Sequence, residues 1–140
     1  MKPLPIGALA RETGVKPTTI RFYEDIGLLP RPPRTESNRR TYDEPDVKRL
    51  RFIRHARDLG FEVDAIRQLL SLADHPDRPC QEVDQIAREH LQAINAKVAQ
   101  LVALRTEVEH MLNQCSHGQV RECRVIEVLA DHAECLHEAH

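Results

Sequence analysis

The sequence predicts a mostly α-helical protein with a compact first half and one long helix in the second. Three observations carry this reading. Through residues 1–73 apolar residues recur at helical spacing, in short runs punctuated by Gly14, Gly27 and Gly60. From Cys80 to Gln114 there is neither glycine nor proline, and the apolar positions keep a seven-residue rhythm. Phe22, Tyr23, Tyr42, Phe52 and Phe61 all fall in the first half and tryptophan is absent, so the packed core belongs there.

At 140 residues the chain makes one ordinary domain with an extension, too short for two full cores. A composition of 41% hydrophobic and 30% charged residues predicts a folded, soluble chain. No apolar run approaches membrane-spanning length, and Met1-Lys2-Pro3-Leu4-Pro5 opens no signal peptide, so the expected location is the cytoplasm, with no membrane partner. There, four cysteines read as thiols or metal ligands rather than as a disulfide frame. Charge is divided unevenly. Residues 1–72 hold 14 Lys and Arg against 10 Asp and Glu, whereas residues 73–140 hold 6 against 12, so only the first half suits a polyanion. No Ser/His/Asp arrangement, phosphate-binding glycine loop or carboxylate pair points to an enzyme.

Ile6, Leu9 and Ala10 set the face of a first helix, which Thr13-Gly14-Val15 breaks. Pro17 suits the first turn of a second helix, where its missing N–H is harmless, and Gly27 supplies the left-handed stop. Two short helices around a tight glycine turn read as a helix-turn-helix, although any small helical hairpin shares that pattern. The next segment adds weight. Arg31-Pro32-Pro33-Arg34 and Ser37-Asn38-Arg39-Arg40-Thr41-Tyr42 combine arginines, a turn residue at Asn38 and strand preference at Thr41-Tyr42, the ingredients of a short β-wing. Wing arginines would hold phosphates, while Thr18, Thr19 and Arg21 would reach base edges of double-stranded DNA.

A third helix begins around Asp43-Glu44-Pro45-Asp46, with acids at the positive end of its dipole. Its buried face is read as Val47, Leu50, Ile53 or Phe52, Ala56 and Leu59, ending at Gly60, with Lys48, Arg49, Arg51, Arg54 and Arg57 mostly solvated. Residues 62–73 form a fourth helix with Ile66, Leu69, Leu70 and Ala73 inward. These elements define a domain over residues 1–73, followed by a two-proline linker, 74–79, and a helix over 80–114.

In that long helix Ala87, Ile94, Leu101 and Val108 occupy one seam position, while Leu91, Val98 and Leu112 occupy the other, with Arg105 interrupting it. Such a stripe needs a partner helix, most simply from a second copy of the chain. The same register includes Cys80 and Cys115, about 50 Å apart along one helix, too far to share an ion. In an antiparallel pair Cys80 of one protomer meets Cys115 of its partner, and Cys123 follows after a loop long enough to fold back. Three thiolates would then gather at each end of the dimer. Ordinary buried cysteines are the alternative, but loop and linker-edge positions are poor core sites.

On these residues the chain resembles the MerR family of transcription activators along essentially its whole length. The resemblance rests on Ile6-Gly7-Ala8-Leu9-Ala10, Thr19-Ile20-Arg21-Phe22-Tyr23-Glu24, Gly27-Leu28-Leu29, Asn38-Arg39-Arg40-Thr41-Tyr42 and Ile53-Arg54-His55-Ala56-Arg57-Asp58-Leu59-Gly60-Phe61. It implies a winged helix-turn-helix DNA-binding domain, a long antiparallel coiled-coil dimerisation helix, and a short metal-binding C-terminal loop and helix over residues 115–140. It also implies a homodimer that distorts promoter DNA so that RNA polymerase can engage both promoter elements. Thr19, Arg21 and Tyr23 are then expected in or beside the major groove, and Arg39, Arg40, Tyr42 and Arg57 on the backbone.

The short C-terminal part resembles the metal-sensing subgroup, with Cys80, Cys115 and Cys123 at its ligand positions and His117 available as a fourth donor for zinc. In copper-sensing members serine stands at the position of Cys80. A cysteine there favours a divalent soft metal, in the order zinc or cadmium, then lead, mercury and last copper. A monovalent copper sensor is therefore one alternative. A thiol redox regulator pairing Cys115 with Cys123 is another, against which the third cysteine argues. His90 with His132, Cys135, His137 and His140 reads either as a second metal site, as in some cadmium-sensing relatives, or as a frayed polar terminus. His55, His75 and His110 lack clustered partners and read as surface or packing residues.

Overall fold

The computed structural model describes residues 2–114 and 118–131. Cys115, His117, His132, Cys135, His137 and His140 lie outside the described residues. The order of elements is β1 (Leu4–Pro5), α1 (Ile6–Thr13), α2 (Pro17–Asp25), β2 (Thr41–Tyr42), α3 (Glu44–Asp58), α4 (Val63–Ala73), α5 (Gln81–Asn113), a 3-10 turn (Val120–Glu122) and α6 (Arg124–Ala130). The chain divides into two compact units, residues 1–86 and 87–140.

In the first unit, α1 and α2 form the helix-turn-helix read from the sequence. Gly14 ends α1 in the left-handed conformation, φ 74°, with its amide 2.8 Å from the Ala10 carbonyl. The glycine has a second reason to be there. Arg54 of α3 reaches over it to donate to the Thr13 carbonyl, and a Cβ on Gly14 would lie 2.0 Å from Arg54 Nη1. Pro17 occupies the first turn of α2. At the other end the amide of Leu28 returns to the Tyr23 carbonyl, 2.9 Å, and that of Gly27 to Glu24, 3.2 Å. This double closure buries Leu28 and starts the next segment at a fixed angle.

Asp43 and Asp46 cap α3 reciprocally, each side chain accepting from the other's amide at 3.2 and 3.0 Å. Burial lifts the Asp46 carboxyl above its ordinary range, while the Asp43 amide works in the opposite direction. The core gathers Leu9, Ile20, Leu28, Leu50, Ile53 and Ile66, all essentially inaccessible.

Of the two alternatives on α3, Ile53 is the one buried, and Phe52 is half-exposed. The structure corrects two further expectations and adds a strand. Leu59 is 58% exposed, because α3 ends at Asp58 and the Phe61 amide folds back to the Ala56 carbonyl at 3.0 Å, so Phe61 packs on the core instead. Leu72 rather than Ala73 turns inward at the end of α4, removing more apolar surface from water. Finally, Thr41–Tyr42 pairs antiparallel with Leu4–Pro5, a strand the sequence reading did not include. The wing itself is joined by a single bridge, Arg34 to Arg40.

α5 runs unbroken over Gln81–Asn113, and the 3-10 turn and α6 follow it in the chain. Arg124 Nε donates to Gln114 Oε1 at 2.7 Å, so the residues immediately outside the 115–123 segment are joined. Among the described residues no helix is long and apolar enough to cross a membrane.

Gly14→Ala is expected to cost about 1–3 kcal/mol, combining left-handed strain with displacement of Arg54, and to lower the thermal midpoint by several degrees. Gly7→Ala provides the opposite sign. It lies inside α1 with the nearest atom, Arg11 Nη1, at 3.7 Å, and should stabilise by roughly 0.5–1 kcal/mol. Thermal circular dichroism of both variants reads the comparison.

Candidate functional site

Helical phase divides α2 into two faces. Ile20, Tyr23 and Glu24 point into the core, whereas Thr18, Arg21, Phe22 and Asp25 face solvent and Thr19 is half-buried. The outward face therefore carries the polar residues expected to read base edges, with the addition of the exposed Phe22 ring. Tyr23 differs from expectation. It is buried beside Phe22, ring centroids 6.0 Å apart, and serves the core.

The wing leaves α2 through the proline segment and reverses at Thr35–Asn38. Asn38 takes φ 64°, as its turn chemistry predicts, and its amide reaches the Thr35 carbonyl at 2.8 Å. Arg34 Nη1 donates to both the carbonyl and Oδ1 of Asn38 at 3.3 Å, and the Thr35 amide reaches the Arg39 carbonyl at 2.8 Å. Arg39 is consequently exposed near the turn. Arg57, also exposed, holds the Phe61 carbonyl at 2.9 Å.

Arg40 and Tyr42 have partners that the sequence did not reveal. Glu24 is buried at the inner end of α2, accepts the Tyr42 hydroxyl on Oε1 and lies 3.2 Å from Arg40 Nε through Oε2. Burial, reinforced by this carboxylate, pushes the Tyr42 phenol well above its ordinary value, so it stays a neutral donor. Tyr42 was expected on the DNA backbone. At 1% exposure, with its hydroxyl committed to Glu24, it is instead part of the packed core. Glu24 was missed although helical phase signals it, because it falls one turn after the buried Ile20.

Two basic residues of α3 expected mostly in solvent are also structural. Arg49 donates to the Leu28 carbonyl at 2.8 Å and pairs with Asp74 at 3.4 Å, and Arg54 holds the Thr13 carbonyl. Arg54 thus caps a carbonyl at the end of α1, and Arg49 holds one just beyond α2.

Of the expected metal donors, Cys80 is an exposed thiol just before α5, beside an apolar cavity of about 260 Å³ that includes Phe52, Leu72 and Val83. Its carbonyl accepts the Asp84 amide at 2.9 Å, starting the helix. Cys123 is half-buried between the 3-10 turn and α6, and its carbonyl accepts the Glu127 amide at 3.1 Å. His90 is half-buried on α5. Among the described residues no three His, Cys, Asp or Glu side chains converge on one point. His75 is exposed and bonds the Ser71 carbonyl at 2.8 Å.

A family model described as MerR HTH family regulatory protein matches residues 4–73, and one described as MerR, DNA binding matches residues 47–111. The chain belongs to the MerR family. It is 42% identical over 129 residues to the HTH-type transcriptional regulator HmrR of Rhizobium leguminosarum bv. viciae, covering 91% of this chain and 98% of that one. It is 40% identical over 127 residues to heavy metal-dependent transcription regulator 2 of Rhizobium meliloti, covering 90% and 86%. Among solved structures, the transcription regulator PbrR691 of Ralstonia metallidurans, in complex with lead(II), superposes with a TM-score of 0.79 at 39% identity over 90% of this chain and 98% of that one. The chain is thus a helix-turn-helix DNA-binding transcription regulator of the MerR family and not an enzyme.

On this face, Arg21→Ala should weaken promoter binding by about 1–3 kcal/mol, the range for loss of a base-edge contact. Arg39→Ala should instead flatten the salt dependence by about one unit of slope, the signature of one phosphate. Fluorescence anisotropy at several salt concentrations separates the two, and unchanged affinity in Arg21→Ala would remove α2 from the interface.

Proposed function

We propose that this MerR-family protein is a metal-responsive regulator that acts as a homodimer on promoter DNA. On binding a soft divalent ion it would distort the promoter so that RNA polymerase can use it, and so activate a metal resistance or efflux gene. The observation that carries the reading is the side-chain bond between Arg124 and Gln114, which joins the two residues that flank the 115–123 segment. The heavy-metal-dependent relative and the lead complex of PbrR691 support it.

The donors assigned are Cys80 of one protomer with Cys115 and Cys123 of its partner, and His117 as a fourth ligand where zinc demands one. Their chemistry fits: thiolates favour soft ions, and a divalent charge would relieve repulsion among three of them. Zinc or cadmium stands first, then lead and mercury, with monovalent copper last because a two-cysteine loop would need no Cys80. The candidate second site remains His90 with His132, Cys135, His137 and His140.

The dimer follows from α5. Leu91, Ile94, Val98, Leu101, Val108 and Leu112 are all substantially exposed in the single chain, Leu101 at 65%. A seven-residue stripe of this kind is buried by a second helix, and an antiparallel partner brings Cys80 to the partner's 115–123 segment. On DNA, Thr18, Thr19 and Arg21 would face the major groove, with Arg39, Arg40 and Arg57 on the backbone.

Cadmium titration of the reduced protein, followed by thiolate-to-metal absorbance, tests the donor set. Cys80→Ser should lose about a third of the intensity per ion, as three soft donors become two, with a drop in affinity. If it matches wild type, the two-cysteine loop is the site and copper becomes the favoured ion. Leu101→Glu should shift the protein from dimer to monomer in sedimentation velocity, since a buried unpaired charge is not tolerated in a seam. A dimer that survives this change is built on another surface.

A further inference from the structure

A buried carboxylate at the end of a DNA-reading helix has no direct part in the interface proposed above. The Glu24 side chain is only 2% exposed, yet it holds Tyr42 through Oε1 and Arg40 through Oε2. Tyr42 belongs to β2, and Arg40 is the residue whose backbone bridges to Arg34 across the wing. One side chain on α2 therefore anchors both the root of the wing and its basic arm. Between them is a cavity of about 290 Å³ lined by Glu24, Asp25, Arg31, Pro32, Arg34 and Arg40.

The geometry of the Arg40 contact matters. It is made through Nε at 3.2 Å, and the side chain remains 30% exposed. A guanidinium is a rigid plane, so fixing Nε fixes the direction of its two terminal amino groups. Those groups are the ones that grip a phosphate in bidentate fashion. An arginine on a short β-turn without such an anchor would sample many rotamers and lose entropy on binding.

We propose that Glu24 is a positioning residue for DNA binding: it orients Arg40 toward a backbone phosphate and holds the wing in register with the outer face of α2. The inference rests on the reading of Arg40 as a phosphate contact. A residue buried away from DNA thereby controls how much of the promoter's backbone the protein engages, and the wing contact fails when its anchor is removed even though every surface arginine is still present.

The test uses the full-length protein and a labelled promoter fragment, with anisotropy measured across a salt series. Arg40→Ala should weaken binding about tenfold and flatten the salt slope by about one unit, as expected for one lost phosphate. Glu24→Gln, which keeps an acceptor for Tyr42 but removes the charge facing Arg40, should reproduce most of both changes. In an Arg40→Ala background Glu24→Gln should add less than about a twofold effect, because the pathway it acts through is already gone. Arg40→Lys, which keeps the charge but lacks the planar fork, should weaken binding while keeping most of the salt slope. If Arg40→Ala has no effect, the phosphate reading fails and takes the inference with it. If Arg40→Ala weakens binding while Glu24→Gln does not, the inference alone fails. Equal losses from Glu24→Gln in both backgrounds would reduce its role to general stability, and tighter binding would make Glu24 a counter-charge; either result overturns the proposal. Should Glu24→Gln not fold, Arg40→Lys decides: wild-type affinity overturns the proposal, and weakened binding supports it.

Discussion

A carboxylate taken out of water must be matched by donors, and at Glu24 that requirement organises the DNA-facing half of the protein. Leaving a buried charge without its partners is costly, so its contacts constrain the fold. The Tyr42 hydroxyl and the Arg40 guanidinium supply the match. Tyr42 in turn pairs with Leu4 across the short sheet, and Pro5 of that sheet leads directly into α1. The constraint therefore closes a ring, from α2 through β2 and β1 to α1 and back through the turn at Gly14. Each member of this ring is short, and none would be stable as an isolated helix or hairpin.

Arginines reinforce the same unit from α3. The last carbonyls of a helix point outward without partners, and the ends of α1 and α2 are the places where the chain has to change direction. Arg54 satisfies Thr13 at the first, and Arg49 satisfies Leu28 just beyond the second. Positive charge at these carboxyl-terminal ends also suits the helix dipole. Part of the basic excess in the first half therefore maintains the angle between helices.

The second unit obeys a different rule. Its helix is long, nearly free of buried side chains, and striped with exposed leucine, isoleucine and valine, so its own chain does not complete it. The compact return after α5 is held by polar contacts, Arg124 with Gln114 and with Glu127, and by the buried Val128. Polar closure of a short segment next to an unpartnered apolar stripe separates two tasks. The stripe is left for a partner helix, and the closure ties Gln114 to Arg124.

Most of the helices were readable from residues 1–140 because their signals are local. Pro17, the Asp43–Asp46 cap, the turn at Asn38 and the spacing of Ile20, Leu50 and Ile66 each act within a few residues of themselves. The outer face of α2 was legible for the same reason, since helical phase alone exposes Thr18 and Arg21. The fates of Tyr23, Tyr42, Arg49 and Arg54 were not legible. An aromatic ring with a polar edge, or a long cationic chain, suits a core or an interface equally well, and the choice depends on partners 18 to 41 positions away. The sequence thus settled which segments are helical and where they stop, through hydrogen bonds that each segment makes with itself. Which aromatic and charged side chains turn inward was settled only when those segments packed, because a buried charge selects its partners in space and not along the chain.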